Sequence, residues 1–205
     1  MVALVGLCVV YFVRGVEPNI NPKRFGVVEP DAIYRSGMLT PEATRRVVER
    51  YGIRTIIDLG AHERGSLGEV RANRTASSLG VTRYRLDLFG DATGNANCYL
   101  YALRLAWDPA NQPVLIHCGA GTERTGAAVA LHRIVEENWT REEAMAEAIE
   151  AGHQPQRNPR FSPTLDDLIP AVSRALDAGD WVTGSEPLTQ GQREPTTAPE
   201  AEDGL

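Results

Sequence analysis

The chain has 205 residues, a formal net charge of −6, 42% hydrophobic and 23% charged residues, which is ordinary for a soluble globular domain with tails. The acidic balance, with no basic stripe to offset it, argues against nucleic acid as a partner. Three scattered cysteines, Cys8, Cys98 and Cys118, exclude a disulfide framework or a cysteine-built zinc site.

Residues 1–21 form an apolar segment and linker, with Val2 to Val13 apolar almost throughout and Arg14 ending the run. Twelve helical residues span about 18 Å, short of the roughly 30 Å hydrocarbon core of a bilayer. The run reads as a membrane anchor that begins upstream, or else as a buried first strand or a short interfacial helix. An anchor would leave Arg14, Lys23 and Arg24 on the cytoplasmic face.

Residues 22–183 alternate in kind. Thr40-Pro41-Glu42 opens a helix that Gly52 stops, and Thr55 to Leu59 reads as a strand. A helix follows over Ser66 to Leu79, then a strand from Tyr84 to Leu88 and a helix over Asn97 to Trp107. Val114 to His117 is a third strand, and Arg124 to Glu137 is helical. Thr140 and Glu143 form a capping box for a helix to Ala151, and Ser162-Pro163 opens a last helix that bends at Pro170 and ends near Asp177. Strands alternating with helices predict an α/β domain, with a central, mostly parallel sheet flanked by helices. Residues 184–205, rich in Gly, Pro, Thr, Gln and Glu, read as a disordered tail.

The most informative segment is His117-Cys118-Gly119-Ala120-Gly121-Thr122-Glu123-Arg124-Thr125-Gly126. A buried strand delivers Cys118 to a tight loop, and the loop runs into a helix N-terminus. Successive backbone N–H groups wrapped around one point there form a cradle for anions. Arg124 can hold two oxygens of a phosphate through its planar fork. A thiolate facing a clamped phosphate is equipped for phosphoryl transfer through a cysteinyl-phosphate. A thiol nucleophile needs a reducing compartment, which implies a cytoplasmic location.

This segment resembles the HCxxGxxR[ST] loop of the cysteine-dependent protein tyrosine and dual-specificity phosphatases. Ala32 to Gly37 and Gly52 to Leu59 look like the opening of the compact bacterial, fungal and plant branch, and the similarity covers about Phe25 to Leu176. The resemblance implies a protein tyrosine phosphatase-like fold of the dual-specificity type. It makes Cys118 the nucleophile, Arg124 the phosphate clamp and Thr125 the hydroxyl that helps the thiolate leave. Substrate would be bound by His117, Gly119, Ala120, Gly121, Thr122, Glu123 and Arg124. It also implies a general acid on a loop upstream of the cysteine. Asp91, in the Gly-rich stretch after Phe89-Gly90, is preferred to Asp87, which sits inside an alternating strand. No metal and no organic cofactor is implied, because Arg124 and the loop amides do the electrostatic work.

Glu123 would repel additional negative charge, unless it points outward and caps its helix, which favours phosphotyrosine or mixed phosphoprotein substrates over inositol phosphates or phosphoinositides. His153, Gln154 and Gln156 read as loop surface, with a place at the pocket's border as the alternative. Cys98 is a candidate to trap an oxidised Cys118. Competing readings are a phosphoprotein-binding pseudophosphatase, a sulfur transferase of the rhodanese kind, and a membrane scaffold built on the N-terminal run.

Overall fold

The computed structural model describes residues 22–196. The apolar run at residues 2–13 lies outside the described residues, and among those described no helix is long and apolar enough to cross a membrane.

Among the described residues, five short strands form one sheet: β1 (Gly26–Glu29), β2 (Ile33–Ser36), β3 (Thr55–Asp58), β4 (Thr82–Arg85) and β5 (Val114–His117). Their spatial order is β1-β2-β5-β3-β4, with β1 antiparallel to β2 and every other pairing parallel. The expected α/β architecture is therefore present, with β5 at the centre. All four residues of β2, β3 and β5 are buried, as strands covered on both faces should be. Period-two alternation divides them between two cores. Tyr34, Ile56 and Leu115 pack with Val47 of α1 (Pro41–Tyr51) and with Val81, just beyond α2 (Leu67–Ser78). Ile33, Ile57, Val114 and Ile116 face a larger core of α3 (Ala96–Trp107), α4 (Glu123–Val135), α5 (Arg141–Glu150) and α6 (Phe161–Asp177).

The helix starts follow local chemistry. Thr40 and Ser66 accept hydrogen bonds from Ala43 N and Glu69 N, and Thr140 with Glu143 makes the reciprocal capping box. Gly52 ends α1 with φ of 63°. Helix α6 starts at Phe161 and continues through Pro170 to Asp177.

β1 and β2 were not expected as strands, and two further assignments differ from expectation. The strand expected over Tyr84 to Leu88 lies at Thr82–Arg85, because β3, its only partner among the described residues, ends at Asp58 opposite Arg85. The tail expected to be disordered from residue 184 instead packs as far as Thr196. Leu188 is buried, a short α7 (Gln190–Arg193) forms, and Thr196 N donates to Arg83 O at 2.7 Å. One buried leucine and a series of backbone contacts hold a segment whose composition is polar.

Candidate active site

The Cys118 loop leaves β5 at the carboxyl ends of the parallel strands, where ligands of such sheets bind. Its conformation is set from behind. Met38 N donates to Gly119 O at 3.1 Å, the Arg24 guanidinium to Ala120 O at 3.0 Å, and Arg35 Nη2 to Gly121 O at 2.8 Å. In a trans peptide the carbonyl and the following N–H point in opposite directions. Three carbonyls tied outward therefore turn three N–H groups inward. Gly121 N shows the result, donating to Cys118 Sγ at 3.2 Å. Cys118 itself is only 1% exposed.

Gly121 is required twice. Its φ is 79°, and a Cβ there would lie 2.5 Å from Gly37 N. The loop then enters α4 with no side-chain cap, which leaves the helix N-terminus free to face an anion.

Arg124 is half anchored. Its Nη1 donates to Leu59 O at 2.9 Å, to Gly60 O, and to Leu88 O at 3.4 Å, while Nε is buried without a partner. Nη2 lies beside Gly119, whose Cβ would be 3.4 Å from it. One corner of the guanidinium is thus fixed to the turn after β3, and the Nε–Nη2 edge remains for two oxygens of a phosphate. The Thr125 hydroxyl is fully buried and also lacks a partner.

The turn after β3 is pinned by Asp58, which accepts from Ala61 N at 2.6 Å and pairs with the buried Arg83. Burial alone would push the Asp58 carboxyl up, but His117, Arg83 and the Ala61 amide outweigh it and hold it at about 2. His117 Nε2 lies 3.7 Å from Asp58, and burial lowers the imidazole below its ordinary value, against the pull of Asp58. His117 was expected to bind substrate. Its ring instead pairs with Asp58 and lines a cavity of about 360 Å³ on the α1/α2 side of the sheet. Cys118 and Arg124 do not line that cavity, so it is separate from the cysteine loop.

Both acid candidates are ionised in this arrangement. Burial would raise Asp87, but Arg64 and Arg85 clamp its two oxygens and lower it. Asp91 is lowered by the Thr93 hydroxyl, which donates at 2.6 Å, then by Thr93 N and by Arg160 at 3.6 Å. The Asp91 segment is shaped by a bridge between Leu88 and Gly94, and its neighbour Ala92 has φ of 73°. Leu88 O, at its base, contacts Arg124, so this loop and the cysteine loop adjoin.

Glu123 turns away from the role foreseen for it. Its Oε2 accepts from Asn158 Nδ2 and contacts His153 Nδ1, each at 2.8 Å. His153, expected at the surface, is buried and stacked on Phe161 with centroids 4.1 Å apart, while Gln154 and Gln156 are exposed. Thr122 is buried in the loop and Ala120 is exposed. Cys98 is a poor partner for an oxidised Cys118: it is fully buried, contacted by Gln192 Nε2 at 3.5 Å, and burial pushes its thiol up to about 12. Among the described residues, no group of three or more His, Cys, Asp or Glu is placed to hold a metal ion.

Arg35, Arg24 and Asn158 are given no site role by the sequence: Arg24 reads as a charge flanking a membrane anchor and Arg35 as part of the motif from Ala32 to Gly37. Arg35 carries no signal for such a role, because β2, Ile-Tyr-Arg-Ser, does not read as a strand. Asn158 carries none.

A family model described as a DSP-PTPase phosphatase fused to NAD+ kinase matches residues 12–162, most of the chain. The chain belongs to this dual-specificity phosphatase family. The Pseudomonas aeruginosa dual specificity protein phosphatase TpbA is 25% identical over 140 residues, 68% of this chain and 58% of that protein. The Saccharomyces cerevisiae inositol diphosphatase SIW14 is 30% identical over 126 residues, 59% of this chain and 42% of that protein. The chain therefore spans roughly half the length of these curated relatives. The solved catalytic core of SIW14 superposes with a TM-score of 0.60 at 24% identity, over 79% of this chain and 96% of that one. Crystalline TpbA gives 0.62 at 19% identity, over 76% and 91%. These likenesses show the protein tyrosine phosphatase-like fold.

Proposed function

We propose that this phosphatase hydrolyses phosphate monoesters of proteins, phosphotyrosine foremost, through a cysteinyl-phosphate on Cys118. The observation that carries the reading is the cysteine loop, with carbonyls tied outward, Gly121 N on Sγ, and the Nε edge of Arg124 unspent. In the first step Cys118 Sγ attacks phosphorus, an S–P bond forms, and the P–O bond to the leaving group breaks. The leaving oxygen takes the electron pair and a proton from Asp91. On substrate binding the Asp91 carboxylate has given up Thr93 and Arg160 and taken that proton from solvent. In the second step water attacks phosphorus and returns a proton to Asp91. The S–P bond breaks, and the thiolate regenerates with help from the Thr125 hydroxyl. The loop amides and Arg124 stabilise the equatorial charge throughout.

A phosphoaryl group in a protein is favoured by Phe89, 69% exposed on the loop that also carries Asp91. TpbA, a dual specificity protein phosphatase, supports the same class. A second reading, an inositol phosphate, is favoured by the bonds that hold Glu123 on Asn158 and His153, since the carboxylate is then not free to repel a second phosphate. SIW14 supports that class.

The test is hydrolysis of p-nitrophenyl phosphate by the full chain in reducing buffer without metal, with Cys118→Ser alongside. Turnover should vanish in the variant. Vanadate binding without turnover would instead indicate a binding pseudophosphatase, and no binding would sink the cysteine-loop reading. A phosphotyrosine peptide and an inositol pyrophosphate, compared by kcat/KM, then separate the two substrate classes.

A further inference from the structure

The Asp91 loop is held by two consecutive carbonyls. The hydroxyl of Tyr99, a fully buried residue, donates to Ala92 O at 2.7 Å from beneath. From the other side Asn158 Nδ2 donates to Asp91 O at 3.1 Å. The same amide spends its second hydrogen on Glu123 Oε2, at the first residue of α4. Its oxygen accepts from Arg160 N at 3.2 Å, so both hydrogens and one lone pair of the side-chain amide are occupied. Glu123 is fixed in turn by His153, which is buried against Phe161 at the start of α6. Behind this, α4 and α6 approach closely at Gly126, where a Cβ would sit 3.4 Å from the Phe161 ring. A rigid chain thus runs from the helix that follows the cysteine loop, through Glu123 and one amide, to the backbone of Asp91.

We propose that Asn158 is a positioning residue for proton donation, a latch that sets the Asp91 loop against the cysteine loop through its shared bonds to Asp91 O and Glu123. The inference rests on the cysteinyl-phosphate reading above. Asn158 touches neither substrate nor Cys118 in this role. Its selective effect falls on the first chemical step, where the P–O bond breaks and the leaving oxygen needs a proton. The second step, in which Asp91 takes a proton back, is common to all substrates. The backbone contact leaves the Asp91 carboxylate free to exchange Thr93 and Arg160 for the leaving group while the loop stays in register.

A dependence on the leaving group distinguishes this role from a merely structural one. Nitrophenolate departs without help, whereas phenolate, with a conjugate acid near a pKa of about 10, departs badly unprotonated. In the full chain, Asn158→Leu and Asn158→Ala should each lower kcat/KM, which reports P–O cleavage, on phenyl phosphate by about 10-fold or more, with kcat/KM on p-nitrophenyl phosphate changed less than about 3-fold. Asp91→Asn should show the same selectivity at about 100-fold, and the double variant should fall no further than Asp91→Asn alone. Unchanged vanadate affinity establishes that each variant keeps its cradle. Equal loss on both substrates, or loss on neither, overturns the latch. The same selectivity in Asp87→Asn and not in Asp91→Asn overturns it as well. Absence of Cys118-dependent turnover in the unaltered chain overturns the reading beneath it, a result separate from either.

Discussion

The two loops that meet at Arg124 are built to opposite specifications. The cysteine loop follows β5, flanked by parallel neighbours on both sides, and three of its carbonyls are tied to Met38, Arg24 and Arg35. The Asp91 loop follows β4, at the edge of the sheet, and carries exposed Phe89 and a half-exposed Asp91. The contrast follows from what each must do on the proposed mechanism. A nucleophile surrounded by amide donors acts through fixed geometry, since donors that must reorganise stabilise charge less. A general acid has to give up a proton and take one back, and Asp91 is held ionised here by Thr93 and Arg160, so it has to exchange partners. Fixity on one side and exchange on the other is a division of labour, and it can be broken experimentally from either side.

The largest effect belongs to the fixed side. Arg124→Ala removes the unspent Nε–Nη2 edge and also the Nη1 tie to Leu59 and Gly60. Turnover should fall by about 10³-fold or more, and Arg124→Lys should recover little, because an ammonium cannot supply the fork. Steady-state kinetics with vanadate affinity measures this. A loss below about 10-fold would mean that the cradle's amides suffice and that the clamp is misassigned.

Next comes the support under the fixed side. Asp58 holds Arg83, His117 and the turn whose carbonyls anchor Arg124, so Asp58→Asn leaves a buried guanidinium without its counter-charge. Stability should drop by about 3–5 kcal/mol in urea unfolding. The pH dependence has a definite sign. Asp58 titrates at about 2 when folded, below its ordinary value of 3.8, so the unfolded chain takes the proton first as pH falls. Its contribution, about 2 kcal/mol, is fully present above the unfolded value and is lost as pH drops through the folded one. Unfolding free energies measured between pH 5 and pH 2, on the order of the window these pKa values define, should slope less in Asp58→Asn than in the unaltered chain.

Much of the fixed side was legible in the sequence, and the reason is local. The order Val114 to Gly126 encodes strand, turn and helix in consecutive residues, and Gly121 marks the one backbone position that excludes a side chain. Capping residues Thr40, Ser66 and Thr140 likewise announce helices within four residues. What escaped is whatever depends on distant partners. β2 is four residues long and buries Arg35, so neither alternation nor polarity marks it as a strand. Arg35 is tolerable there only because Gly121 O, 86 positions away, accepts its hydrogen bond. Asn158 reads as one more loop residue until Asp91 and Glu123 are brought beside it. His117 looked like a substrate ligand because it precedes the nucleophile, yet alternation along β5 places its side chain on the α1/α2 face, away from Ile116.

The smallest effect tests the edge on which the Asp91 loop depends. Residues 186–196 strap α3 to β4: Asn95 and Asn97 donate to Glu186 O, Tyr101 to Arg193 O, and Thr196 N to Arg83 O. Their composition predicted disorder because polar segments bury too little surface to offset their ordering entropy. Here the backbone carbonyls supply the partners, and Leu188 supplies the apolar burial. Ending the chain at Gly184 therefore uncovers one leucine's worth of core, about 2 kcal/mol, which for a chain of this size lowers the melting temperature by roughly 5 °C. Thermal unfolding of the two lengths under one buffer is the measurement. An unchanged melting temperature would restore residue 183 as the domain's end. A fall with Cys118-dependent turnover preserved would show that the strap stabilises the sheet edge without reaching the cysteine loop, as expected when Arg83 keeps its bond to Asp58 after losing Thr196.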